Sequence, residues 1–102
     1  MEQALEIRYA NKKIKAVCTN ATVAKKSHGQ AIADKIHMRI DQIAAADSVE
    51  ELIQYSIGKC HMLRGDREGQ YAMHLAEPWR LVFTVEREVV QIACIIEIVD
   101  YH

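Results

Sequence analysis

Apolar and polar residues alternate over Leu5-Glu6-Ile7-Arg8-Tyr9, the period-two pattern of a half-buried strand. The period then changes. Asn11 is placed to cap a helix in which Ile14, Val17, Cys18 and Ala21 recur at helical spacing, and Asn20 to cap a second stretch running to about Lys26. The pattern leaves open whether this is one helix or two. Gln30 to Ala46 carries the clearest helical signal, with Ile32, Ile36, Ile40 and Ile43 on one stripe and Lys35, Arg39 and Gln42 off it. Asp47-Ser48 ends that run. Ser48 followed by Glu51 has the spacing of a capping box, so a further short helix is expected there.

From Lys59 onward the pattern returns to period two. Tyr71, Met73 and Leu75 alternate with Ala72 and His74, and Trp79, Leu81, Phe83 and Val85 alternate with Arg80, Val82 and Thr84. Val89 to Val99 is almost continuously apolar and β-branched, which predicts a strand covered on both faces. Pro78 separates the first two of these runs, and Glu86-Arg87-Glu88 fits a hairpin turn between the last two. The order of strand, helices, then three or four strands predicts an α+β fold, with the N-terminal strand and helices on one face of a mostly antiparallel sheet. The first strand has two open placements: at an edge, or parallel to a later strand.

A chain of 102 residues predicts a single domain over residues 1–102, small enough to depend on tight packing or on a partner. No apolar run approaches the roughly 18 residues of a membrane span. Met1-Glu2-Gln3-Ala4-Leu5-Glu6 has neither the basic nor the apolar part of a signal peptide, so a cytoplasmic location is the expectation. Cys18, Cys60 and Cys94 lie far apart without a C-x-x-C pair, and read as reduced core thiols rather than metal ligands or a redox motif; no cofactor is expected.

The net charge of −1 hides an asymmetry. Residues 1–46 carry 8 Lys/Arg against 4 Asp/Glu, and residues 47–102 carry 5 against 10. A basic half can follow phosphates without the whole chain being basic. Lys12, Lys13, Lys15, Lys25, Lys26 and Lys35 serve equally as an ordinary solvated helix face.

Two places concentrate reactive side chains. One is Cys60-His61-Met62-Leu63-Arg64-Gly65-Asp66-Arg67-Glu68-Gly69-Gln70-Tyr71, where a histidine, two arginines and two glycines adjoin a strand. The other is the end of the chain, Asp100-Tyr101-His102, directly after the most apolar strand. Metal-independent RNA cleavage needs a base for the 2′-hydroxyl, an acid for the leaving 5′-oxygen, and cations for the phosphoryl oxygens. Histidine can serve as either acid or base, and arginine presents a fork to a phosphate. His61, His102, Arg64 and Arg80 are residues of these types, although spacing does not show that they converge.

Leu63-Arg64-Gly65-Asp66-Arg67-Glu68-Gly69, then Trp79-Arg80-Leu81-Val82-Phe83 and the terminal Val99-Asp100-Tyr101-His102, together resemble the HigB-type toxins of the RelE/ParE superfamily. The resemblance implies the α+β fold of that superfamily. It also implies the toxin of a type II toxin–antitoxin system, a ribosome-dependent mRNA endonuclease. Its partners would be the ribosome, mRNA and a helix-turn-helix antitoxin. On the same resemblance His61 falls on an active-site position, Arg64 on one where many members carry lysine, and Arg80 on a sheet arginine that contacts the scissile phosphate. Asp100, Tyr101 and His102 fall on a terminal triplet implicated in catalysis. Two departures stand out. Some members have a further arginine shortly before the tryptophan-arginine pair, where this chain has Ala76-Glu77-Pro78, and Met62 replaces a proline. Two other functions share the scaffold: a ParE-like inhibitor of DNA gyrase, and a catalytically weak member that chiefly binds an antitoxin.

Plainer roles are open to each residue. A histidine on a strand without such a motif is more often a packing or surface residue. Arg67 could pair with Asp66 or Glu68, and Arg80 with Asp100 or Glu97 in place of a phosphate. Asp100 could orient a histidine, act as a base, or be an ordinary carboxylate. Tyr101 could stack on a base. Trp79 is expected to anchor the core, and His28, His37 and His74, which carry no motif, are expected to have no catalytic role.

Overall fold

Asn20 divides the first helical stretch in two. In the computed structural model, which describes residues 4–100, helix α1 (Lys12–Thr19) ends and helix α2 (Ala21–His28) begins on that residue. The Asn20 side-chain oxygen accepts from the amides of Thr22 and Val23 at 3.0 and 3.1 Å, while its own amide donates to the Ala16 carbonyl. One asparagine thus satisfies orphan groups at both helix ends. Asn11 caps α1 in the same way, accepting from the Ile14 amide at 2.9 Å. Helix α3 (Gln30–Ala45) buries Ile32, Ile36 and Ile43 and half-buries Ile40, as its stripe predicts. Ser48 caps the short helix α4 (Val49–Gln54) by accepting from the Glu51 amide at 3.2 Å.

Strand β1 (Glu6–Tyr9) is both at an edge and parallel, pairing with β5 (Gln91–Asp100). Strands β2 (His61–Met62), β3 (Gln70–His74) and β4 (Trp79–Arg87) complete a sheet of order β1-β5-β4-β3-β2, with every pair except β1/β5 antiparallel. The α+β expectation is met. The position of the last hairpin is not: β4 runs through Glu86 to Arg87, which pairs with Gln91, and the turn lies at residues 88–90, with Val89 88% exposed. Tertiary partners explain the shift. Arg87 is held by Glu50 of α4 at 2.8 Å, and Gln91 bonds both Glu50 and the Val49 amide.

The helices cover one face of the sheet. Val17, Cys18, Ala24, Ile36 and Leu52 meet Tyr71, Met73, Leu81, Phe83, Ala93 and Ile95 in the main core. Burial pushes the thiol of Cys18 up to about 11 and that of Cys60 up to about 12, so both are inert core thiols; Cys94 is only half-buried. The other face carries a small apolar cluster of Leu63, Ala72 and Val82, flanked by Ile96 and Val99. Strand β5 is therefore not sandwiched between two layers of helices, as its continuous apolar run suggests. Its second face lies beside this smaller patch. No helix among the described residues is long and apolar enough to cross a membrane.

Candidate active site on the open face of the sheet

Strand alternation decides which side chains reach the open face. Tyr71, Met73, Leu81 and Phe83 point into the core, so Ala72, His74, Arg80 and Val82 point away from it. The register then sets His74 opposite Arg80 and His61 opposite Ala72. Residues directly opposite one another in antiparallel strands share a face, so His61, His74 and Arg80 lie together at one end of the open side. The rings of His61 and His74 stand edge to face with centroids 6.3 Å apart.

Glu77, in the β3–β4 connection, closes the group. Its carboxylate lies 3.2 Å from Arg80 Nη2 and 3.3 Å from His74 Nδ1. The hydrogen bond from Arg80, followed by the nearby positive charges, holds the Glu77 carboxyl below its ordinary range, so it is ionised at neutral pH. Arg80 also donates to the Trp79 carbonyl at 2.9 Å, and only 12% of its side chain is exposed. That bond uses Nη1 and fixes the guanidinium against the sheet with Nη2 toward Glu77. Burial, then the positive charge of Arg80, lowers the His74 pKa; Glu77 opposes this and Lys59 adds to it. His61 is exposed, and its Nδ1 lies 2.8 Å from the Lys59 carbonyl. That nitrogen is the donor, because a carbonyl oxygen only accepts.

The backbone of His74 is braced from the opposite side. Arg39 of α3 donates from Nε to the His74 carbonyl at 2.7 Å and from Nη1 to Gln42. A Cβ at Gly58 would come within 2.7 Å of Arg39 Nε, and Gly58 sits at φ +58. The positive φ and the close Arg39 side chain both favour glycine there. Arg39, off the helical stripe in sequence, links α3 to the end of β3.

The remaining candidates fall elsewhere. Arg64 is exposed at the turn after β2, at the rim of a pocket of about 390 Å³ formed with Met62, Leu63, Gly65 and Glu68. Arg67 pairs with neither neighbouring acid; it pairs with Glu97 and donates to Gln70 at 2.8 Å, bordering the apolar patch. The partner of Arg80 is Glu77, not Asp100 or Glu97. Asp100 is exposed and in register with Trp79, one step from the Arg80–Val99 pair and therefore alternating to the helix side. Tyr101 and His102 lie outside the described residues. Trp79 packs against the main core, with the ring of His28 edge-on at 5.1 Å. Among the described residues no group of three or more His, Cys, Asp or Glu side chains is arranged to hold a metal ion.

His74 and Glu77 are the residues that motif reading passes over. The alternation of β3 and β4 carried a signal for His74, because it shares the outward phase with Arg80. Glu77 had none, since a connection has no period. Chemically, the site offers two imidazoles and a guanidinium around a carboxylate. Arg80 Nη2 meets one oxygen of the Glu77 carboxylate and His74 Nδ1 the other, so an oxyanion already engages both side chains.

No protein-family profile matches the sequence, and no curated protein matches it. Solved structures do. A YoeB/ParE toxin from Agrobacterium tumefaciens superposes with a TM-score of 0.66 at 14% identity, over 96% of this chain and 100% of that one. The YoeB–YefM complex and the YoeB dimer from Staphylococcus aureus each give 0.62 at 20% identity, over 96% of this chain and 97% of theirs. The chain has the fold of the YoeB/ParE-type toxins.

Proposed function

We propose that this chain is the toxin of a type II toxin–antitoxin pair, that it acts in the cytoplasm, and that its open sheet face cleaves mRNA held by the ribosome. The observation that carries the reading is the convergence of His61, His74 and Arg80 at one end of that face. These side chains supply what phosphodiester cleavage by a 2′-hydroxyl requires: proton transfer and a fixed cation for the phosphoryl oxygens. The HigB-like sequence features and the toxin fold support the same reading from different directions. One of the similar structures is YoeB in complex with YefM; by analogy an antitoxin is the proposed partner here, and its helix-turn-helix type is what the HigB-like resemblance of the sequence implies. Arg64, Asp100, Tyr101 and His102 enter the proposal by sequence resemblance alone.

Induction of the wild-type chain in cells is expected to arrest growth and deplete full-length transcripts. His102→Ala is expected to relieve both effects, and so is an extension added after His102. Arrest with transcripts intact, together with inhibited supercoiling by purified gyrase, would replace this reading with a ParE-like one.

Glu77 provides a second test. Its carboxylate competes for Arg80 with any incoming phosphate, so Glu77→Ala is expected to tighten binding of a short single-stranded RNA to the purified protein several-fold, measured by fluorescence anisotropy. Weaker binding would mean that Glu77 organises Arg80 and does not compete with phosphate.

A further inference from the structure

We propose that the pocket after β2 seats one nucleobase of the RNA, and that the Glu68 carboxylate selects bases carrying an exocyclic amino group. The inference rests on the nuclease reading above and names the part of the substrate that this surface reads. The pocket holds about 390 Å³ and is lined by Met62, Leu63, Arg64, Gly65 and Glu68. That size falls within the range of small-ligand pockets. The strand fixes its place relative to the candidate site. Leu63 belongs both to the pocket wall and to the apolar patch of the open face. Its amide still donates to the Gln70 carbonyl, at 2.8 Å, so the chain stays paired with β3 there. Leu63 thus stands two residues beyond His61, about 7 Å along an extended chain. An RNA strand lying over His61, His74 and Arg80 has a neighbouring base within reach of the pocket.

The lining suits a base better than a phosphate. Met62, 47% exposed, and Leu63 offer apolar surface to the face of a ring. Arg64 and Glu68 flank the turn Gly65–Arg67 at its two ends. They carry opposite charges, yet among the described residues no ion pair joins them and neither side chain has a hydrogen-bond partner. The other cation of the turn is engaged elsewhere: Arg67 pairs with Glu97 and donates to Gln70 at 2.8 Å. Glu68 is therefore an acceptor without a donor, in the wall of a pocket beside the candidate site. A carboxylate repels phosphate and accepts from N–H groups, and on RNA the N–H groups are on base edges. Adenine, cytosine and guanine carry an exocyclic amino group. Uracil has none, and its one ring N–H lies between two carbonyl oxygens that a carboxylate repels. Arg64 would hold the phosphate of the same nucleotide and offset the repulsion between Glu68 and the RNA backbone.

The experiment measures binding of 2′-O-methyl hexamers to the purified full chain by fluorescence anisotropy. These oligonucleotides have no free 2′-hydroxyl and stay whole. Adenine, cytosine, uracil and purine hexamers are compared, purine being adenine without its amino group. Purine keeps the ring system of adenine, so it separates the amino group from stacking. Wild type is expected to bind the adenine and cytosine hexamers about tenfold more tightly than the uracil and purine ones, the effect of one hydrogen bond to a charged acceptor. Glu68→Ala is expected to bind all four alike. Glu68→Gln, which donates as well as accepts, is expected to lose most of the preference, and the melting temperatures of both variants are compared with wild type. Equal binding of adenine and purine by wild type, an unchanged preference in Glu68→Ala, or no binding of any hexamer would overturn the inference. Cleavage of ribosome-bound mRNA by the same preparation is scored separately. Cleavage without the amino-group preference removes the role of the pocket and leaves the nuclease reading standing. Preference without cleavage removes the nuclease reading and leaves the base-binding pocket.

Discussion

Arg80→Ala is expected to lower the rate constant for mRNA cleavage by about 10²–10³-fold, the usual cost of removing one fixed donor to a developing oxyanion. The expectation follows from how the guanidinium is held. It is 12% exposed, tied through Nη1 to the Trp79 carbonyl at 2.9 Å, and its Nη2 faces a carboxylate that a phosphate would displace. A cation fixed before substrate arrives does not have to reorganise during the reaction. Arg80→Lys is expected to fall between wild type and alanine, because a lysine keeps the charge and loses the fork. The fold should tolerate both changes: the partner left behind, Glu77, is exposed and its charge remains hydrated. Single-turnover rates and a thermal melt of each variant check this. An alanine variant that folds and cleaves at the wild-type rate would remove Arg80 from the site.

Phe83→Ala is expected to cost about 3–5 kcal/mol of stability. Phe83 is fully buried in β4, between β3 and β5, and its ring stacks on that of Tyr71 with centroids 5.6 Å apart. Truncation leaves a cavity where strands and helices meet, in a place with little freedom to collapse. Small domains hold only about 5–15 kcal/mol in total, so the variant should sit near its unfolding threshold at growth temperature. Urea unfolding followed by circular dichroism measures the change. A loss below about 1 kcal/mol would mean that the core packs differently from the arrangement described here.

Features set by neighbouring residues were legible in the sequence. The α3 stripe, the caps at Asn11, Asn20 and Ser48, and the alternation of β3 and β4 all depend on spacing within a few residues. Long-range partners were not legible. The sequence left two placements open for β1, because parallel pairing with β5 across most of the chain leaves no local mark. The last hairpin was read two residues early, because what prolongs β4 is the hold of Glu50 on Arg87 and Gln91.

The site divides in the same way. His61 and Arg80 stood in recognisable motifs, and the structure brings them to one end of the open face. His74 carries no motif and is expected to have no catalytic role; its phase matches that of Arg80, and the register places it on the same side. Ala76-Glu77-Pro78 carries no cation, and in space its Glu77 meets both Arg80 and His74. Asp100 shows the reverse case. It follows Val99 in the terminal motif, yet the register alternates it to the side of Trp79.

Analysis of the ends left on ribosome-bound mRNA after incubation with the purified chain tests the central claim most directly. Attack by the 2′-hydroxyl, driven by side chains on the open face, predicts scission inside the ribosome-held message with a 2′,3′-cyclic phosphate on one fragment and a 5′-hydroxyl on the other. Message that stays whole, or fragments ending in a 3′-hydroxyl and a 5′-phosphate, would contradict it.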